Sequence, residues 1–211
     1  MFEQLGLIGC GLMGGSFALA MKQAGLVKQV VGYSKSPTTT AKARQLGVID
    51  VEAPSALLAV SGADIVLLAV PVAATEDSFK AIRHLLTPQA LLMDVGSTKG
   101  DVVAAAQRVL REHLAGFVPA HPIAGKEVAG VEHADPRLYV DRQVIVSLFP
   151  HLKAEWGLSD KQLGGLVSVV SITVALGALP VALDGADFPG GHELRPAELQ
   201  QWIGWLQDRK S

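Results

Sequence analysis

The sequence predicts an α/β protein: a doubly wound parallel sheet over residues 1–146, followed by a short divergent segment over residues 147–211. Three observations predict it. Short β-branched runs alternate with longer helical patterns as far as about Val146, as in parallel strands joined by helices on the faces of a sheet. A glycine-rich turn separates the first of these runs from the first helical pattern. One run, residues 63–70, is almost unbroken apolar sequence, which suits a strand buried on both faces.

Residues 5–8 read as a buried strand, 9–15 as a glycine turn, and 16–23 as a helix closed by Gly25. Residues 29–33 give the next strand and 38–46, ended by Gly47, the next helix, which completes one βαβ unit. A short helix over 54–60 leads to the strand over 63–70, and Pro71 stops it. Residues 75–86 carry Phe79, Ile82 and Leu86 on one helical face. A strand over 90–95, a helix over 99–113 and a strand over 116–120 then lead to His121, and residues 143–146 form a further strand. Beyond Val146 the alternation stops, and all three tryptophans, Trp156, Trp202 and Trp205, fall there. Residues 184–196 read as a loop, and 196–209 as a helix with Leu199, Trp202, Ile203 and Leu206 on one face.

Composition bounds the function. With 211 residues, 49% hydrophobic and 18% charged, the chain can build a packed core and has too little charge for disorder. A net charge of -2 gathers no polyanion, so nucleic acid is not an expected partner. The single cysteine, Cys10, excludes an internal disulfide and a thiolate metal cluster, and fits a reducing cytoplasmic setting with no metal. The N-terminus lacks the basic start of a secretory signal and carries Glu3. Residues 162–183 hold no charge at all and match the ~20 residues of a bilayer span. Gly164, Gly165, Ser168, Ser171, Thr173, Gly177 and Pro180 dilute them, so a buried helix or a pair of strands is expected, without a membrane.

Gly9, Gly11 and Gly14 fit the pattern Gly-x-Gly-x-x-Gly, between a predicted strand and a predicted helix, which is the setting in which that pattern binds a dinucleotide. Gly9 would permit the tight turn, Gly11 the approach of a pyrophosphate, and Gly14 close helix–strand packing. Leu12 and Met13 fall where the helix N-terminus offers free N–H groups and a partial positive charge to the phosphates. This is the Rossmann-type arrangement. The acid that commonly ends the second strand and holds the ribose hydroxyls is missing; Tyr33-Ser34-Lys35-Ser36-Pro37-Thr38 stands there instead. Ser34 and Lys35 would welcome a 2′-phosphate, so NADP is preferred over NAD, the plainer reading being a solvated loop lysine.

Residues 94–99 and 121–127 sit where such a sheet places reactive groups, at the carboxyl ends of strands. Of six histidines, His121 is set apart: it follows a core strand, is held by Pro122, and faces the crevice expected to hold the nicotinamide. Lys99 and Lys126 are candidate attractors of an anionic substrate, against the ordinary reading of a helix-start and a loop lysine.

These residues resemble the prephenate/arogenate dehydrogenase family of tyrosine biosynthesis. The likeness is carried by residues 6–16, by Val31-Gly32-Tyr33-Ser34, by Leu68-Ala69-Val70-Pro71, by residues 94–99, and by residues 121–125 continuing as Gly130-Val131-Glu132. The resemblance implies oxidation of the ring carbinol of prephenate or arogenate, with hydride passing from C4 to the nicotinamide while the C1 carboxylate leaves as carbon dioxide. It assigns His121 as the base that takes the ring hydroxyl proton, a task suited to imidazole. It gives Ser97 a hydrogen bond at the same oxygen, and places Val70 and Pro71 against the cofactor. Members of the family continue into a helical domain that makes a homodimer and adds a carboxylate-binding arginine; residues 147–211 do not match it. Two alternatives stand beside the enzyme: a non-catalytic dinucleotide-binding remnant, and a β-hydroxyacid dehydrogenase, which shares Leu12-Met13-Gly14 but needs a lysine on a later long helix.

Overall fold

The computed structural model describes residues 2–140 and 142–146, together with two further strands at 170–173 and 182–183. The chain opens with β1 (Phe2–Ile8), α1 (Leu12–Gln23) and β2 (Val27–Tyr33), then α2 (Pro37–Gln45), β3 (Val51–Glu52) and α3 (Ala56–Ala59). It continues through β4 (Ile65–Leu68), α4 (Thr75–Ile82), β5 (Leu91–Asp94), α5 (Lys99–Val109) and β6 (Phe117–Pro122). The last described strands are β7 (Gln143–Val146), β8 (Val170–Thr173) and β9 (Ala182–Leu183).

Parallel strands cannot be joined by tight turns, so each needs a crossover, and the helices supply the covering of both faces. The order is β3-β2-β1-β4-β5-β6-β7-β8-β9, parallel as far as β6. The chain therefore winds outward from β1 to β3, returns through α3 to β4 on the other side of β1, and winds outward again. Between β1 and β4 the winding reverses, and at such a reversal the carboxyl ends of the strands leave an open crevice.

The period of two along β4 shows how one strand feeds two cores. Ile65 and Leu67 join Leu5, Leu7, Val30, Ala18, Met21 and Ile49 on one face. Val66 and Leu68 join Ile8, Phe79, Ile82, Leu92, Val102 and Phe117 on the other. Phe79 and Phe117 are fully buried and meet edge to face with centroids 5.4 Å apart, so α4 is fixed across β6 by a directional contact as well as by area.

Several sequence expectations change here. The first helix begins at Leu12, inside the glycine motif, because Gly14 and Gly15 occupy its first turns as packing surfaces and not as turn residues. α5 ends at Val109 and tightens into a 3-10 turn over Arg111–Gly116, where Arg111 takes φ +50 and cannot continue an α-helix. β3 has only two residues, too short to show a period, and the helix expected over 54–60 shortens to Ala56–Ala59. β7 runs antiparallel to β6, since no crossover helix intervenes between them. Strands β8 and β9 fall within residues 162–183, and no helix among the described residues is long and apolar enough to cross a membrane. The helix expected over 196–209 lies outside the described residues.

Candidate active site

The glycine turn divides its work among three residues. Gly9 has φ +97, and a Cβ there would meet the Ala69 carbonyl oxygen at 2.2 Å, so neither its backbone conformation nor its neighbour admits a side chain. A Cβ at Gly14 would meet the Gly9 oxygen at 2.1 Å, which is how closely α1 starts against β1. A Cβ at Gly11 would meet nothing within 4 Å. Gly11 caps α1 without any side-chain hydrogen bond, and the first turn holds no acid, so no side chain of the cap satisfies the N–H groups or offsets the partial positive charge there. That cradle suits a pyrophosphate in shape and in charge.

The ends of β2 and β4 border the cradle. Gly9 N–H donates to the Tyr33 oxygen (2.8 Å), and Ala69 N–H to the Ile8 oxygen (2.7 Å). Cys10 N–H donates to Ser34 Oγ at 2.8 Å, and the Ser34 hydroxyl in turn bonds the Cys10 sulfur, which fixes Ser34 against the glycine turn. The Ser34 N–H is in turn held by Thr40 Oγ1 at 3.1 Å. Lys35 is exposed beside the hydrogen-bonded Ser36 and Thr38 hydroxyls. Val70 is half-buried and packs against the core, and Pro71 is exposed at the start of a 3-10 turn. The Cys10 thiol is buried, and burial raises its pKa, so it fills space and is not a nucleophile.

Asp94, at the end of β5, is 2% exposed. Its carboxylate accepts from Gly96 N–H (2.8 Å), Ala120 N–H (3.2 Å) and the Lys99 ammonium. Lys99 also donates to the Ala120 oxygen at 2.6 Å. One buried ion pair thus ties β5, the start of α5 and the residue before His121. Burial raises the Asp94 pKa and lowers that of Lys99, each opposed by the charge of its partner. Lys99, a candidate for attracting substrate, is spent in this clip, and Lys126 pairs with Asp135 at 3.1 Å.

His121 belongs to β6, paired with Ile145, and is not the start of a loop; the strand runs on through Pro122 because β7 supplies a partner for it. It lines a cavity of about 430 Å³ with Pro122, Ile123, Ala124, Gly125 and Arg142. Ser97 is exposed on the turn after neighbouring β5 and is not part of that lining. The segment beyond His121 is strapped back onto α1. Leu12, Leu138 and Tyr139 form a buried cluster with Met13, Phe17 and Ala124, so the side chains of Leu12 and Met13 join the glycine turn to the cavity wall. Tyr139 OH donates to the Met13 oxygen at 2.8 Å, and Asp135 N–H to Ser16 Oγ at 2.9 Å. Burial pushes the Tyr139 phenol up, which keeps it a donor. Tyr139→Phe is expected to lose about 1 kcal/mol, a fall in Tm of roughly 2–4 °C that differential scanning calorimetry would read.

Neither Arg142 nor Tyr139 stood out in the sequence. Arg142 was findable, since it directly precedes a predicted strand, but its strand partner was not, because antiparallel pairing across a wide connection leaves no short-range pattern.

A parallel sheet wound both ways from β1, with a glycine turn opening on a helix N-terminus at the winding reversal, defines a dinucleotide-binding domain. Residues 17–156 match the family described as prephenate dehydrogenase, nucleotide-binding domain. Prephenate dehydrogenase of Bacillus subtilis is 34% identical over 182 residues, covering 78% of this chain and 49% of that protein. Cyclohexadienyl dehydrogenase of Zymomonas mobilis is 33% identical over 174 residues, covering 81% and 59%. The crystal structure of Aquifex aeolicus prephenate dehydrogenase with hydroxyphenyl propionate and NAD+ superposes with a TM-score of 0.64 at 31% identity, over 80% of this chain and 56% of that one. The chain belongs to the prephenate dehydrogenase family. It spans about half the length of the curated relatives it matches.

Proposed function

We propose that this chain forms the nucleotide-binding part of a dehydrogenase that oxidises prephenate or arogenate with loss of carbon dioxide, using NADP in preference to NAD. The dinucleotide-binding unit is taken to span residues 1–146 and the setting to be cytoplasmic. One observation carries the reading: the glycine turn and His121 lie at the same carboxyl edge of the sheet, joined by the cluster of Leu12, Met13, Ala124 and Tyr139. From β1 to β6 is three strand spacings, about 14 Å, a span that an extended dinucleotide bridges.

A bound nicotinamide supplies the hydride acceptor. The residues of the chain do the rest. The amides at the start of α1 hold the pyrophosphate, and Ser34 and Lys35 take the adenosine end. His121 accepts the proton of the ring hydroxyl as the carbinol becomes a carbonyl, and Ser97 adds a hydrogen bond at that oxygen. Ring aromatisation on loss of carbon dioxide drives the reaction, so the protein contributes chiefly orientation and proton handling.

The purified chain is expected to bind both nucleotides and to reduce NADP+ when given prephenate or arogenate, followed at the nicotinamide absorbance. Binding without reduction by either substrate would point instead to a non-catalytic dinucleotide module. Lys35→Ala is expected to weaken NADP+ about tenfold, the loss of one charge-assisted contact, while NAD+ affinity stays the same. Equal NADP+ binding by both proteins would remove the phosphate from Lys35.

A further inference from the structure

The cavity beside His121 has walls of two kinds. Pro122, Ala124 and Ile123, which is 45% exposed, give it an apolar side. Its charge comes from Arg142. Ordinary explanations for a cation are used up elsewhere at this edge: Lys99 is held by Asp94 and the Ala120 oxygen, and Lys126 by Asp135. Among the described residues the Arg142 guanidinium has no ion pair and no side-chain hydrogen bond; only its backbone N–H is engaged, by the Tyr139 oxygen at 3.3 Å. The β6–β7 register places it. Pro122 pairs with Val144, and the same antiparallel step carried two residues further sets Arg142 level with Ala124. An unpaired guanidinium, carried on a backbone held beside the start of β7 and lining the same cavity as His121, is a group awaiting a planar anion.

We infer that Arg142 binds the carboxylate of the molecule occupying the His121 cavity, so that this domain itself recognises a small ring carboxylate, with its hydroxyl at His121 and its apolar ring against Ile123 and Ala124. The inference rests on the dehydrogenase reading of that cavity. Arg142 is exposed and takes no part in the core, so its replacement leaves the fold intact.

The test uses the full chain saturated with NAD+, titrated calorimetrically with hydroxyphenyl propionate and separately with its uncharged methyl ester. Arg142→Gln is expected to weaken the propionate about tenfold, to leave the ester and NAD+ unchanged, and Arg142→Lys to recover part of the loss. Equal binding of the propionate by wild type and Arg142→Gln overturns the assignment of Arg142 while leaving the dehydrogenase reading intact. An equal loss for propionate and ester also overturns it, because the side chain would then be shaping the cavity and not pairing with charge. If the NAD+-bound wild type takes up neither compound, the cavity is not the substrate site and both readings fall together.

Discussion

Lys99→Met is expected to destabilise the chain by about 3–5 kcal/mol at neutral pH, a fall in Tm of roughly 10 °C. The reason is the clip at the carboxyl end of β5. Asp94 and Lys99 each give up water on burial, and each is tolerated because the other is present. Removing the ammonium leaves a carboxylate served only by the N–H groups of Gly96 and Ala120. The pH dependence has a definite sign. Burial holds the Asp94 carboxyl above its ordinary value, and without Lys99 it rises further. A carboxyl raised in the folded state contributes stability that is fully present below its unfolded pKa and lost as pH climbs through the folded pKa. The deficit of Lys99→Met relative to wild type should therefore shrink on acidification toward the ordinary carboxylate range and grow again toward neutrality, in urea titrations at a series of pH values. Adding Asp94→Asn to Lys99→Met should restore most of the lost stability, since it removes the orphaned charge. A single variant as stable as wild type at neutral pH would show that the pair is solvated and not a clip.

The same pair marks a limit of what the sequence reveals. Residues 94–99 are visible as chemistry-bearing, and Lys99 as a cation at the start of a helix. What decides its partner is the parallel β5–β6 pairing, which brings Ala120 beside Asp94, and no local period reports which strands become neighbours. The elements themselves were far more legible. β4 declares itself because a strand buried on both faces must be apolar throughout, and all four of its residues are buried. β1, α1 and β2 follow from the glycine turn, whose three glycines serve separate physical needs that can be named without coordinates. The start of α1 was misread for the same reason: glycines signal a turn by propensity, yet Gly14 and Gly15 are helical here because β1 and the segment after His121 approach too closely for a side chain. β3, at two residues, carries no pattern to read. In the candidate site, the glycine turn, Ser34 and His121 were named from position in a strand–helix series. Arg142 and Tyr139 depend on tertiary return of the chain onto α1 and β6, and only the fold brings them there.

His121→Asn should separate binding from chemistry more sharply than any other substitution at this edge. Asparagine keeps a polar group of similar reach at the end of β6 and can still hydrogen-bond a hydroxyl, but it cannot take a proton near neutral pH. With prephenate and saturating NADP+, kcat is expected to fall about 10²–10⁴-fold, the usual worth of a positioned base. Nucleotide affinity should not move. The amides proposed to cradle the pyrophosphate lie at the start of α1, and the order β1-β4-β5-β6 places two strands between that turn and His121. KM should change little, because the carboxylate and ring contacts are assigned by the proposal to other parts of the cavity and only the transition state needs the proton removed. Stopped-flow turnover alongside fluorescence titration of NADP+ distinguishes the outcomes. A fall in kcat with constant nucleotide Kd assigns the base to His121. A loss of both together would mean that the side chain holds the β6–β7 pairing and shapes the cavity. An undiminished kcat would move the proton acceptor away from His121.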